Sequence, residues 1–320
     1  MAAVTDDVET VVGASDRSPV VVGLMFALLS ALSFGLAGTL GKGLLDSGWT
    51  SGAAVLARVF VGALALALPA WRSLAGRWWL VRRNLTMITV FGVLGVAGTQ
   101  FAFFQAIDRM QVGVALLLEY TAPVAVVTWL WLRHGIRPGR LTIVGAAVAA
   151  VGLLLVLNLL GGVSVNTVGV LWAMGAMIGA ATYFVLGAHQ ADGLPPLALA
   201  CGGLAVGGLV LGLVGLVGLV PMDFTTGSAT YAGVRVGWWV SVLGLGVITA
   251  AVPYASGVAA SRRLGSRLAS FVALLEVLFA LLFAWLLLGQ MPAAVQLLGG
   301  VLILAGVVVV KLGEARVVAD

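Results

Sequence analysis

Three ionisable residues, Arg58, Glu119 and Glu276, sit well inside long apolar runs. A charge at the centre of a bilayer costs about 2.5–3.5 kcal/mol by insertion scales, so each of these side chains faces protein or a wet cavity rather than lipid. A carboxylate held out of water can exchange a proton when its surroundings change between wet and dry; the alternative is a fixed hydrogen bond to a neighbouring helix. A guanidinium can grip a solute carboxylate with two parallel donors; alternatively it snorkels to the headgroups or pairs with Glu119. Gln100, Tyr120, Thr121, Trp129, Tyr183, Thr249 and Tyr254 also lie mid-run, and a solute site needs a few placed polar groups in an apolar wall. The candidate substrate or proton pathway is therefore Glu119, Glu276, Arg58, Tyr120, Gln100, Trp129, Tyr183 and Tyr254.

The elements that must position these residues are membrane helices. The 320-residue chain is 62% hydrophobic and 9% charged, against about 25% charged for a soluble domain. Its mean hydropathy is +1.16. Apolar runs predict spans over 20–40, 52–71, 85–106, 112–132, 141–159, 168–188, 196–220, 237–258, 268–288 and 293–312, each near the roughly 20 residues that cross a bilayer. Arg262-Arg263 and Asp108-Arg109 mark two tight junctions, and residues 221–236 read as the longest loop. With the N-terminus inside, thirteen Lys and Arg fall on the cytoplasmic side and three on the other. That bias predicts two cytoplasmic termini and an even number of spans in the cytoplasmic membrane. Residues 1–18, with Asp6, Asp7, Glu9 and Asp16 and no basic leader, read as a disordered cytoplasmic tail, and 314–320 as a second short tail. The basic residues flank spans, so the net charge of +5 points to membrane topology and not to nucleic acid.

The two halves echo each other. At an offset of 154, Trp131, Gly135, Pro138, Gly145 and Gly152 meet Trp285, Gly289, Pro292, Gly299 and Gly306. Five helices per half is an odd number, so the second half inserts upside down relative to the first. The expected fold class is an all-α integral membrane protein of ten transmembrane helices, arranged as two inverted five-helix repeats, 19–160 and 161–313. Pro123 and Pro253 lie inside spans, where each removes a backbone hydrogen bond and permits a kink.

Leu275–Gln290, "LEVLFALLFAWLLLGQ", resembles the C-terminal repeat of the EamA family of the drug/metabolite transporter superfamily, and residues 117–132, "LLEYTAPVAVVTWLWL", resemble the matching part of its first repeat. The family's frequent "LEP" reads Leu275-Glu276-Val277 here, and its "LGE" reads Leu288-Gly289-Gln290, so the second carboxylate is missing. The resemblance implies ten helices, inverted repeats and traffic in amino acids or similar metabolites, often as export.

No P-loop, HExxH or GxSxG pattern occurs, and His134 and His189 stand at span ends, so no cofactor, metal or direct use of ATP is expected. The single Cys201 excludes an intramolecular disulfide. The expected partners are a small-molecule substrate and the lipid bilayer, with proton coupling open. Uptake or facilitated diffusion is the alternative within transport; from another class, the alternative is a membrane-embedded enzyme acting on a lipid-linked substrate.

Overall fold

Many large apolar side chains point outward and many small ones inward in the protein, here represented by a computed structural model. It describes residues 19–107, 109, 110, 112–157, 166–190 and 193–317; the tail expected over 1–18 and the junction residue Asp108 lie outside them. Helix α1 (Pro19–Asp46) sets the pattern: it buries Gly23, Ala27, Ser30, Ala31, Gly35 and Gly43 and exposes Met25, Leu28, Leu29 and Leu32. Leu132 is 78% exposed and Leu216 85%. Water would penalise such a surface; hydrocarbon does not.

After α1 come α2 (Ser51–Leu74), the short α3 (Trp79–Arg83) and α4 (Leu85–Val90). A π-helical stretch over Phe91–Gly98 leads into α5 (Thr99–Ile107). Next are α6 (Val112–Glu119), α7 (Ala122–His134), α8 (Arg140–Val156), α9 (Thr167–Ala188) and α10 (Pro196–Leu216). A hairpin, β1 (Ser228–Tyr231) and β2 (Val234–Gly237), precedes α11 (Trp238–Gly246), a second π-helical stretch over Val247–Ala251, and α12 (Val252–Ala273). Helices α13 (Leu275–Leu288) and α14 (Ala294–Val317) complete the described chain. Inside α12, Gly265 takes φ 76° and ψ 160°, so two helical arms meet there; only glycine adopts that conformation without strain. Among the described residues, 8 helices are long and apolar enough to cross a membrane, and Arg140–Val156 and Leu275–Leu288 are shorter apolar ones. The protein is therefore a mostly helical, multi-pass membrane protein.

Helices α8 and α14 make the closest approach. A methyl added at Gly145 would stand 2.7 Å from the Gly306 carbonyl, and one at Gly152 would stand 2.6 Å from that of Gly299. The reverse pairs are equally tight, at 2.6 Å from Gly306 to Gly145 and 2.5 Å from Gly299 to Gly152. Two backbones in contact gain dispersion along their length, and only residues without a side chain permit it.

Two expectations need correcting here. Residues 314–317, read as tail, continue α14 as far as Val317. Residues 221–236, read as loop, contain most of the hairpin, in which Ala229 pairs with Val236 and Thr230 with Arg235. Ala232 and Gly233 turn it with φ 49° and 81°, a two-residue turn with positive φ at both positions. The Tyr231 hydroxyl donates to the Leu40 carbonyl at 2.8 Å and lies 3.0 Å from Ser241 Oγ, with its ring over Gly43. The Ala232 amide donates to the Leu287 carbonyl at 2.9 Å, and Trp49 Nε1 to that of Thr225 at 2.7 Å. The hairpin thus ties the ends of α1 and α13 together.

Tyr231→Phe should lower stability by about 1 kcal/mol, because the hydroxyl's contacts with the Leu40 carbonyl and Ser241 are lost. Thermal unfolding in detergent reads this, and an unchanged midpoint would reject the tie. Burial holds the Tyr231 phenol above its ordinary 10.0, with the bond to Ser241 acting the other way. Its stabilising share is therefore intact below the unfolded value near 10 and is lost as pH rises through the folded value.

Candidate functional site

Both carboxylates lie at breaks between helices. In the first half α6 stops at Glu119 and α7 starts at Ala122. Pro123, in the first turn of α7, has no N–H to give the preceding turn. The Thr121 hydroxyl donates instead to the Leu118 carbonyl at 2.6 Å. In the second half the break falls at Leu274, and Glu276 occupies the first turn of α13. A negative charge is favoured at that end of a helix and disfavoured at the C-terminal end where Glu119 sits. Local structure explains Glu276 and opposes Glu119.

The breaks border one cavity of about 160 Å³. Seven of the eight residues singled out from the sequence line it: Arg58, Gln100, Glu119, Tyr120, Tyr183, Tyr254 and Glu276. The Tyr120 hydroxyl lies beside Glu276, and Arg58 is near enough to attract the same carboxylate. Glu119 and Glu276 are near enough to repel when both are charged. Gln100 lies beside the Tyr254 hydroxyl. Tyr183 and Tyr254 meet edge to face at 5.5 Å, and Phe34 meets Tyr254 at 5.4 Å. Ser30 Oγ, beside Tyr183, donates to the Pro253 carbonyl at 2.9 Å, which leaves the buried Tyr183 hydroxyl without a well-formed hydrogen bond.

Trp129 is the exception. It lies on an outward groove with Leu94 and Leu132 and is 48% exposed. The buried residues of α7 are Ala122, Pro123 and Val126; beyond them the helix no longer packs with its inner face enclosed. Thr121 lines that same outward groove. Cys201 lies on another apolar groove, between α2 and α10, away from the cavity.

The pairing of Arg58 with Glu119 does not form. Arg58 Nε and Nη2 donate to the Thr249 carbonyl at 3.1 and 2.6 Å, and the guanidinium lies 5.5 Å from the Phe34 ring centroid. Among the described residues the one salt bridge is Lys42–Asp46, at 2.8 Å, so no carboxylate reaches Arg58. Ser30 and Phe34 also line the cavity but were not read from the sequence. A serine inside an apolar span was the available signal for the first; nothing separates Phe34 from its apolar neighbours. Among the described residues no cluster of His, Cys, Asp or Glu could hold a metal.

An apolar-surfaced helical bundle that encloses a charged, aromatic-walled cavity belongs to the class of multi-pass membrane transporters. The chain matches the EamA-like transporter family over residues 21–158 and 167–312, and it belongs to that family. It is 29% identical over 278 residues to an uncharacterized transporter of Archaeoglobus fulgidus, covering 87% of this chain and 93% of that one. A crystal structure of another protein superposes with a TM-score of 0.72 over 92% of this chain and 98% of its own, at 19% identity. That likeness speaks to the fold alone.

Proposed function

We propose that the protein is a secondary transporter that moves amino acids or similar small metabolites by alternating access, as an exporter coupled to protons, across the cytoplasmic membrane. The observation that carries this reading is the cavity itself, where one cation, two carboxylates and three tyrosines converge. Arg58, which lines the cavity, suits a solute carboxylate, and Glu119 and Glu276 suit an ammonium group or a proton. Export follows from the family resemblance.

Ten crossings in two inverted repeats, 19–160 and 161–313, are part of the proposal. The support is a series of features that correspond at an offset of 154 residues. Breaks fall at Tyr120 and Leu274 and left-handed glycine caps at Gly135 and Gly289, both at φ 70°, and the same shift lays the π-helical stretch Phe91–Gly98 over that of Val247–Ala251. Exchanging the halves turns the contact of Gly145 with Gly306 into that of Gly299 with Gly152, and both occur. The eight long apolar helices and the two shorter ones make ten, and the bend at Gly265 lets the second arm of α12 join α13 in one crossing. The arginine bias places both termini in the cytoplasm.

Uptake of radiolabelled amino acids by proteoliposomes under an imposed proton gradient tests the function. Flux is expected for solutes with a free carboxylate, and Arg58→Gln should raise their KM by about 10-fold or more. No flux for any amino acid, in either direction, would refute the reading.

A further inference from the structure

The lipid-facing groove that holds Trp129 and Thr121 is not part of the cavity. Helices α4, α7 and α9 and the π-helical stretch Phe91–Gly98 form it, with Val90, Leu94, Val124, Leu132, Ile178 and Leu186 in its wall. At Val90 and Leu186 it runs into a second depression, which the same two residues line. The chemistry changes there. Arg83, Asn84, Thr86, His189 and Gln190 line this end, and among the described residues no carboxylate does. Asn84 is buried and gives its amide to the Leu80 carbonyl at 2.9 Å. Arg83, Thr86, His189 and Gln190 are exposed. One continuous trough therefore passes from apolar to cationic along its length.

Its depth and length match a lipid. Trp78 and Trp79 stand at the start of α3, just before Arg83, and are 48% and 54% exposed; exposed tryptophans collect at headgroup level. From Leu186 back to Met177 the apolar part follows α9 for about 14 Å, at 1.5 Å per residue. One leaflet supplies about 15 Å of hydrocarbon. The matching place in the second half is built differently. At the 154-residue offset Arg83 and Asn84 correspond to Gly237 and Trp238, so the cation is missing. There the hairpin covers the surface, with the Tyr231 ring packed on Gly43 of α1.

We propose that the trough binds one anionic phospholipid, with its phosphate among Arg83, Thr86, His189 and Gln190 and one acyl chain along α7 and α9. Arginine offers a phosphate parallel, charge-assisted donors. A zwitterionic headgroup carries the same phosphate, but its ammonium finds no carboxylate here. In the topology proposed above, Arg83 faces the cytoplasmic leaflet, where anionic lipids concentrate. Binding at the trough does not depend on what the cavity transports.

Native mass spectrometry of the purified full-length protein tests this, with phosphatidylglycerol and phosphatidylcholine of matched chains added in equal amounts. Wild type should retain one phosphatidylglycerol about 10-fold better than phosphatidylcholine. Arg83→Gln with His189→Gln, both at the surface, should abolish the preference. Arg133→Gln with Arg137→Gln, exposed basic residues outside the trough, should keep it. Ala181→Trp fills the apolar part and should lower retention of both lipids with the charges in place. Glycerol phosphate, a head without chains, should not displace the lipid. The proposal is overturned by an absent preference in wild type, by an unchanged one in the Arg83 and His189 variant, or by equal loss in the Arg133 and Arg137 variant. Unchanged retention in Ala181→Trp, or displacement by glycerol phosphate, removes the acyl chain from the trough and overturns it too. A lipid-free dimer that Ala181→Trp dissociates would put a second copy of the chain there instead.

Discussion

Replacing Glu119 and Glu276 together by glutamine is expected to reduce proton-driven solute flux in proteoliposomes by about 100-fold or more, equivalent to about 2.7 kcal/mol of lost barrier lowering. The protein should still fold, since each glutamine keeps the shape of the acid and can hydrogen-bond. The single variants should differ. Glu276 is supported by the first turn of α13 and by the attraction of Arg58. Glu276→Gln therefore forfeits two favourable charge interactions and should lower both stability and flux. Glu119 is the last residue of α6, where the helix dipole opposes a negative charge, and it is repelled by Glu276. Glu119→Gln should leave thermal stability unchanged or raised, while flux stops responding to a protonophore. Nothing local favours an acid at position 119, so its response to a proton gradient is the sharper test of the proposed coupling. Full, gradient-dependent flux in the double variant would remove the carboxylates from the mechanism.

The second large effect concerns the seam between α8 and α14. Gly152→Leu places a branched side chain where a single methyl already meets the Gly299 carbonyl at 2.6 Å. Neither backbone can yield without separating the two helices along their length. Overpacking typically costs 1–3 kcal/mol; here the cost should reach the top of that range, about 3 kcal/mol, because the obstacle is backbone rather than a side chain that can rotate away. Gly299→Leu should behave alike, since the contact is reciprocal. The measurement is the unfolding midpoint of purified protein in detergent together with the yield of monodisperse material. A midpoint within about 1 °C of wild type would mean that the helices do not rely on this approach.

Much of the architecture was legible because lipid imposes simple rules. Apolar runs of the right length predicted most of the helices; the exception is the junction expected at Arg262-Arg263, which lies inside α12 because the helix continues to Ala273 and only bends at Gly265. The buried charges were legible for the same reason: Arg58, Glu119 and Glu276 are expensive in hydrocarbon, and all three line the cavity. Aromatic residues were less informative, because tyrosine or tryptophan suits a cavity wall and a lipid-facing groove equally. Tyr183 lies on the first and Trp129 on the second. Backbone events were not legible. The π-helical stretch Phe91–Gly98 has an apolar, glycine-containing sequence like many regular helices nearby. The bond from Arg58 to Thr249 uses a main-chain carbonyl, which every residue possesses. The hairpin of Ser228–Gly237 lacks strict alternation of apolar and polar residues and turns on Ala232-Gly233, a weaker signal than Asn-Gly.

Cys201 carries the chain's one thiol, on a lipid-side groove and remote from Arg58 and the two acids. A single exchange, Cys201→Ala, therefore yields a blank background at little structural cost. Spin labels or fluorophores can then be introduced two at a time, one on each half, and every distance they report is free of a native signal. Any movement of one half against the other then becomes directly observable in a lipid nanodisc.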